Sequence, residues 1–143
     1  MRLTTFTDYS LRVLIYLGVQ DDERATISEI AEAYGISKNH LMKVVHFLGQ
    51  QGYVETLRGK TGGVRLARPP EEINLGELVR ATEANTALVE CLAPEPSDCC
   101  IEPACALRGI LQRSLQAFYG VLEEHSLLDV LRSRNGLKLL LRS

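Results

Sequence analysis

Thr26-Ile27-Ser28-Glu29-Ile30-Ala31-Glu32-Ala33-Tyr34-Gly35-Ile36-Ser37-Lys38-Asn39-His40-Leu41-Met42-Lys43-Val44-Val45 is the stretch that decides the fold. Thr26 with Glu29 three residues on makes a capping box that opens a short helix, with Ile27, Ile30, Ala31 and Tyr34 facing inward. Gly35 suits the left-handed residue that stops such a helix. Ser37 then caps a third helix running to about Gln51, where Gly52 ends it. At 3.6 residues per turn, Leu41, Val44, Val45 and Leu48 share one face, and Asn39, Lys43, His46 and Gln50 lie opposite. Two short helices joined by Tyr34-Gly35-Ile36-Ser37 have helix-turn-helix spacing.

After Gly52 the periodicity changes to two. Tyr53-Val54-Glu55-Thr56-Leu57-Arg58 and Val64-Arg65-Leu66-Ala67-Arg68 read as strands, joined by Gly59-Lys60-Thr61-Gly62-Gly63 into a hairpin with a basic tip. A helix-turn-helix followed directly by such a hairpin is a winged-helix arrangement. Gly59-Lys60-Thr61 is not a nucleotide-binding loop. That motif needs Gly at position 54, where Val54 stands, and a helix afterwards. Upstream, residues 7–19 read as a strongly buried helix, with Tyr9, Val13, Tyr16 and Leu17 on its apolar face.

Beyond Pro69-Pro70, Asn74 and Glu77 cap a short helix through about Glu83. Residues 91–105 form a loop rich in Cys, Pro, Glu and Asp. Pro103 suits the first position of a long helix to about Glu124. Leu107, Leu111, Leu115, Phe118 and Leu122 make one apolar stripe on it, and Ile110, Ala117 and Val121 make a second. One stripe suffices to dock on the same chain, so the second points to another subunit. A Leu-rich amphipathic tail, capped by Ser126, fills 126–143. The expected architecture is mainly α with a small β-hairpin wing. It divides into a winged helix-turn-helix DNA-binding domain over 1–70 and, over 71–143, the cysteine loop and dimerisation helices.

Composition narrows the class. Apolar residues make up 45% and charged residues 24% of the 143, which excludes disordered and collagen-like chains. The apolar run from Val13 to Val19 is too short to span a bilayer, and the charged Asp21-Asp22-Glu23-Arg24 follows it in place of a small-residue cleavage site. A soluble cytoplasmic protein is expected. The net charge of −2 hides an asymmetry: Lys38 to Arg68 holds six basic residues and one acid, Glu55. A concentrated basic segment can bind a polyanion whatever the total, because local potential decides contact. Ser37, Lys38, Asn39, His40 and Lys43 are therefore expected in the major groove or on its flanking phosphates, with Arg58 and Lys60 on the wing.

All four cysteines, Cys91, Cys99, Cys100 and Cys105, fall within fifteen residues. A disulfide framework belongs to an oxidising compartment. A structural zinc site takes paired C-x₂₋₄-C ligands, whereas the spacings here are x₇, zero and x₄. An iron–sulfur cluster is larger and accepts looser spacing, and Cys91, Cys99 and Cys105 can supply three thiolates. Adjacent Cys99 and Cys100 would strain a turn if both reached one cluster, which makes Cys100 a spare thiol. A fourth ligand must come from elsewhere, and a hard carboxylate on a soft iron site would leave that iron exchangeable.

Met1-Arg2-Leu3-Thr4, Phe6-Thr7-Asp8-Tyr9, Gly35-Ile36-Ser37-Lys38-Asn39-His40-Leu41, Arg58-Gly59-Lys60 with Gly62-Gly63, and Cys91, Cys99 and Pro103-Ala104-Cys105 together resemble the Rrf-type winged-helix regulators. These are dimeric bacterial transcription factors, and the resemblance covers nearly the whole chain. It implies that Cys91, Cys99 and Cys105 bind an iron–sulfur cluster, [2Fe–2S] or [4Fe–4S]. Asp8 matches the position that, in the nitric-oxide-sensing branch, supplies the fourth ligand from the partner subunit. The branch that senses iron–sulfur supply has a His three residues after the third Cys, where this chain has Arg108. The resemblance thus implies a nitric-oxide-sensing repressor whose cluster-loaded homodimer binds a palindromic operator and lets go on nitrosylation. The alternatives are a regulator of iron–sulfur supply or general redox state, or, in a different class, a small iron–sulfur electron carrier, which has no use for a basic helix and wing. No partnered nucleophile accompanies Glu123-Glu124-His125 or His46, so an enzyme is not expected.

Overall fold

The computed structural model describes residues 1–21, 23–60 and 62–142; Asp22, Thr61 in the wing loop and Ser143 at the end of the tail lie outside the described residues. The chain runs α1 (Thr5–Val19), α2 (Ile27–Tyr34), α3 (Lys38–Gln50), β1 (Val54–Leu57), β2 (Gly63–Leu66), α4 (Leu75–Thr82), α5 (Ala106–Glu123), α6 (Leu127–Val130) and α7 (Arg134–Leu141). A single antiparallel hairpin pairs β1 with β2, with Val54 opposite Leu66 and Leu57 opposite Gly63. Ala25 adds a short rung to it: its N–H donates to Val64 O at 2.9 Å, and Val64 N–H returns to Ala25 O at 2.7 Å.

The local signals around the helix-turn-helix act as the sequence predicts. The Thr26–Glu29 capping box closes in both directions, at 2.8 and 3.1 Å. Gly35 takes φ +65°, where any Cβ is strained, and its neighbour Ser37 accepts from His40 N–H at 3.4 Å. Leu41, Val44, Val45 and Leu48 are all buried, so α3 keeps its opposite face free.

One buried cluster unites the helix-turn-helix with the second half of the chain. Val13, Leu14, Ile30, Leu41, Val44 and Leu48 are sealed within it, and so are Ile73, Leu78 and Leu127 from beyond Pro70. Burying a Leu or Ile side chain contributes about 1.5–3 kcal/mol. Where α4 crosses the end of α5, a Cβ on Gly76 would stand 2.2 Å from Glu123 Cγ, so only glycine fits that approach.

Four boundaries differ from the sequence reading. The first helix starts at Thr5, because Thr4 accepts Thr7 N–H at 3.2 Å and caps it two residues early. The strands are shorter, Val54–Leu57 and Gly63–Leu66, since past them Arg68 turns back onto the protein. Pro103 does not open α5. It sits in a separate 3₁₀ turn, Glu102–Ala104, and extended Cys105 (ψ 105°) separates that turn from the helix. The tail breaks into α6, a 3₁₀ turn at Leu131–Ser133 and α7. The break lets α7 fold back on the end of α1, where Lys138 Nζ lies 2.7 Å from Asp21 and Arg134 pairs with the same carboxylate.

Candidate nucleic-acid interface and thiol loop

The outer face of α3 presents the groups expected at DNA. Ser37, Lys38, Asn39, Lys43 and His46 are exposed, and the first turn carries no acid to repel phosphate. His40 differs from the others. It is half-buried, its ring edge-on to Tyr9 with centroids 4.8 Å apart. Phe6 packs on Phe47 in the same manner at 5.3 Å, so two aromatic contacts fasten the start of α1 to α3.

Among the six cations from Lys38 to Arg68, the structure separates two groups. Arg68 donates to Gly52 O and Gln51 O, both at 3.2 Å, closing the end of α3 while it stacks 4.3 Å from the Tyr53 ring. Arg65 is paired with Glu55 across the hairpin. Arg58 and Lys60 stand exposed at the wing tip, and Lys38 and Lys43 on α3. Among the described residues, Lys38, Lys43, Arg58 and Lys60 are exposed with no carboxylate partner and are the expected phosphate ligands, whereas Arg65 and Arg68 are engaged within the chain.

Asp8 lies in the first turn of α1, half exposed, its carboxylate 3.0 Å from Arg12 Nη2 and 3.2 Å from Arg12 Nε. Arg12 is also 5.6 Å from the Tyr34 ring, and Tyr34 Oη donates to Arg12 O at 2.9 Å. Burial pushes the Tyr34 phenol up to about 12, so it stays a proton donor. The partnership of Asp8 with Arg12 was not legible from residue type, although the four-residue spacing is that of a helical ion pair.

The four cysteines are free, Cys91 and Cys105 half-buried and Cys99 and Cys100 exposed. The loop folds as tight turns: Glu102 N–H donates to Cys99 O at 3.2 Å, and Cys105 N–H to Glu102 O at 3.2 Å. Arg108 Nε donates to Cys91 O at 3.0 Å, which draws the Cys91 turn toward the start of α5. Among the described residues no three His, Cys, Asp or Glu side chains form a preassembled single-ion site. Cys91, Cys99 and Cys105 are therefore not gathered as such a site here. Their chemistry nonetheless fits a cluster. Three accessible soft donors lie in one loop, and Cys105 is the N-cap of α5, a helix with no side-chain cap hydrogen bond and no acid in its first turn.

A buried carboxylate was missed by the sequence reading. Glu83, 6% exposed at the end of α4, accepts on one oxygen from Thr4 N–H at 2.7 Å, Thr4 Oγ1 at 2.9 Å and Thr7 Oγ1 at 2.6 Å. Burial alone pushes its pKa up, but the hydrogen bonds from Thr7, Thr4 and Thr86 outweigh that and hold it below the usual carboxylate value. No signal in the sequence joins residues 79 positions apart. Along α5 no residue is fully buried: Leu111, Leu115, Phe118 and Leu122 are half-covered, and Leu107, Ile110 and Val121 are 50–58% exposed. None of the helices among the described residues is long and apolar enough to cross a membrane.

Residues 3–133 match the family model described as Rrf2, iron-dependent transcriptional regulator. The chain is 47% identical over 142 residues to the HTH-type transcriptional regulator NsrR of Bacillus licheniformis, covering 99% of each. It is 48% identical over 143 residues to NsrR of Bacillus subtilis, covering 99% of this chain and 98% of that one. Among solved structures, the global cysteine regulator CymR of B. subtilis superposes with a TM-score of 0.72 at 27% identity, over 91% of this chain and 95% of that one. An IscR structure from T. potens shares the fold, with a TM-score of 0.72 at 22% identity, over 93% of this chain and 88% of that one. The family model and the two NsrR relatives are described as transcriptional regulators, not enzymes. The chain belongs to the Rrf2 family, as a transcriptional regulator of the NsrR type.

Proposed function

We propose that this chain is a homodimeric repressor, loaded with an iron–sulfur cluster, that grips a palindromic operator and releases it in response to nitric oxide. The work divides near residue 70, with residues 1–70 reading DNA and residues 71–143 carrying the cysteine loop, 91–105, and the dimer helices. Supporting this reading are the kinship with NsrR proteins and, above all, the four exposed cations Lys38, Lys43, Arg58 and Lys60, spread over the recognition helix and wing of a chain that also carries an accessible thiol loop. Ser37, Lys38, Asn39 and Lys43 face the major groove or its phosphates, His40 sits at the edge of that surface, and Arg58 and Lys60 track the wing side. The exposed stripe of Ile110, Ala117 and Val121 packs on a second copy, which sets two recognition helices against two half-sites.

Cys91, Cys99 and Cys105 would hold the cluster as thiolates, with Asp8 of the partner subunit completing the set. Bound there, the cluster supplies iron with which nitric oxide reacts. Asp8 would be the hardest and most readily exchanged donor of that set, and Arg12, 3.0 Å away in its own chain, is the competing partner for its carboxylate. Tyr9, next in sequence, touches His40, so a shift of the first turn of α1 reaches the recognition helix with no base contact removed. An anaerobic gel shift with loaded and cluster-free protein, before and after a nitric-oxide donor, tests this. The reading requires a shift that depends on the cluster and is abolished by nitric oxide. Colourless, iron-free protein with undiminished DNA binding overturns it.

A further inference from the structure

The buried carboxylate at the end of α4 has no part in DNA contact or in thiol chemistry, yet its surroundings are unusually complete. Glu83 receives three hydrogen bonds of 2.6–2.9 Å on one oxygen, all from the first turn of α1 and its cap. Thr7, fully buried, also lies 2.8 Å from Thr82 Oγ1, and Thr82 turns its hydroxyl to Leu78 O and Val79 O, so the anchor extends into the backbone of α4. Thr4, gripped by its N–H and its hydroxyl, offers its own carbonyl to Asp8 N–H at 3.1 Å. One hydrogen bond thus separates the anchored residue from the carboxylate-bearing residue proposed to complete the cluster site. α4 in turn is fixed to α5: Arg80 stacks 4.2 Å from the Tyr119 ring, and Asn74 Nδ2 donates to Glu123 O at 2.7 Å. A path from the helix that follows the thiol loop to the start of α1 therefore runs through Glu83.

Without the Glu83 carboxylate, the start of α1 keeps its cap at Thr4, the two aromatic contacts and the Thr7–Thr82 hydroxyl contact, but no charged anchor to α4 among the described residues. The contacts of Tyr9 with His40 and of Phe6 with Phe47 fasten it to α3 but not to α4. Hydrogen bonds to a charged acceptor are directional and about twice as strong as neutral ones, which suits a joint that must keep one orientation. We propose that Glu83 is a positioning residue that sets the direction of the first turn of α1, and so of Asp8, relative to α4 and α5. It couples the state of the thiol loop to DNA affinity without touching DNA or iron. This rests on the cluster reading above.

Six full-length proteins test it: wild type, Glu83→Gln, Glu83→Ala, Thr7→Val, Asp8→Ala and the Glu83→Ala/Asp8→Ala double variant. Each is measured for cluster absorbance, for DNA affinity loaded and cluster-free, and for amide hydrogen exchange. The glutamine keeps an oxygen acceptor and should preserve the loaded-to-free affinity ratio within about twofold. Glu83→Ala and Thr7→Val should lower that ratio at least tenfold, with Thr4, Thr7 and Asp8 amides exchanging faster and the α3 amides unchanged. In the Glu83→Ala background, adding Asp8→Ala should have no further effect on the ratio, whereas in wild type it should. A wild-type ratio in Glu83→Ala overturns the proposal. So does an equal loss of affinity in both loaded and free forms, which marks a structural role only. A wild-type protein that binds no iron, or whose affinity ignores the cluster, sinks the cluster reading itself and this inference with it.

Discussion

The DNA-binding head and the long helix α5 are built on opposite terms. In the head, Val13, Leu14, Ile30, Leu41, Val44 and Leu48 are fully sealed from solvent by the chain's own residues. Along α5, eighteen residues long, nothing is fully buried, and its second apolar stripe faces outward. A helix finished on one side only is waiting for a surface. The contrast teaches that the head's core is completed within the chain, with Ile73, Leu78 and Leu127 supplied from beyond Pro70, while α5 leaves an apolar stripe open to solvent. In the proposed dimer, regulation would fit the second kind of element better, because a second copy would complete its packing.

The contrast can be broken first in the head. Leu48→Ala removes a sealed side chain from α3 and should cost about 3 kcal/mol, read as a fall in the urea midpoint at unchanged slope. Ile110→Glu with Val121→Glu places charge on the exposed stripe. It should halve the sedimentation mass and weaken operator binding by about 100-fold through lost bivalency, while the helical spectrum is kept. A dimer that survives both glutamates would refute the partnered reading of α5. Lys43→Ala should weaken binding by about tenfold and reduce the slope of log affinity against log salt by about one, as expected for a phosphate contact. Arg65→Ala should change binding by less than about twofold, since its exposed pairing with Glu55 contributes only a few tenths of a kcal/mol and leaves no free charge for DNA.

Acid should distinguish the joint between the two regions. Glu83 has its carboxyl pKa held below 4.5, so the stability it gives is present above the unfolded value and is lost as pH falls through the lower, folded one. Acid titration of unfolding should show this component in wild type and not in Glu83→Gln.

What the sequence disclosed was local. The Thr26–Glu29 box, Gly35, the Ser37 cap and the Asn74 cap each join residues within four positions, and each forms as the residue types demand. The buried face of α3 followed from the period alone. Hidden features depend on long separations or on competing partners. Glu83 meets Thr4 across 79 positions, and residue type alone does not reveal that Arg65 and Arg68 are engaged while, among the described residues, Arg58 and Lys60 have no such partner. Pro103 was misplaced because a proline suits the opening of a 3₁₀ turn as well as that of an α-helix, and only the extended Cys105 settles which one forms.

The clasp of Arg134 and Lys138 on Asp21 has a practical consequence for any binding measurement. Its carboxylate side is more than half exposed, so ionic strength screens it just as it screens phosphate contacts. Raising the salt therefore weakens the grip on the operator and loosens α7 from the head at once. A titration against potassium chloride counts both events in a single slope, and only a parallel measurement with Asp21→Asn tells how many released ions belong to the nucleic acid.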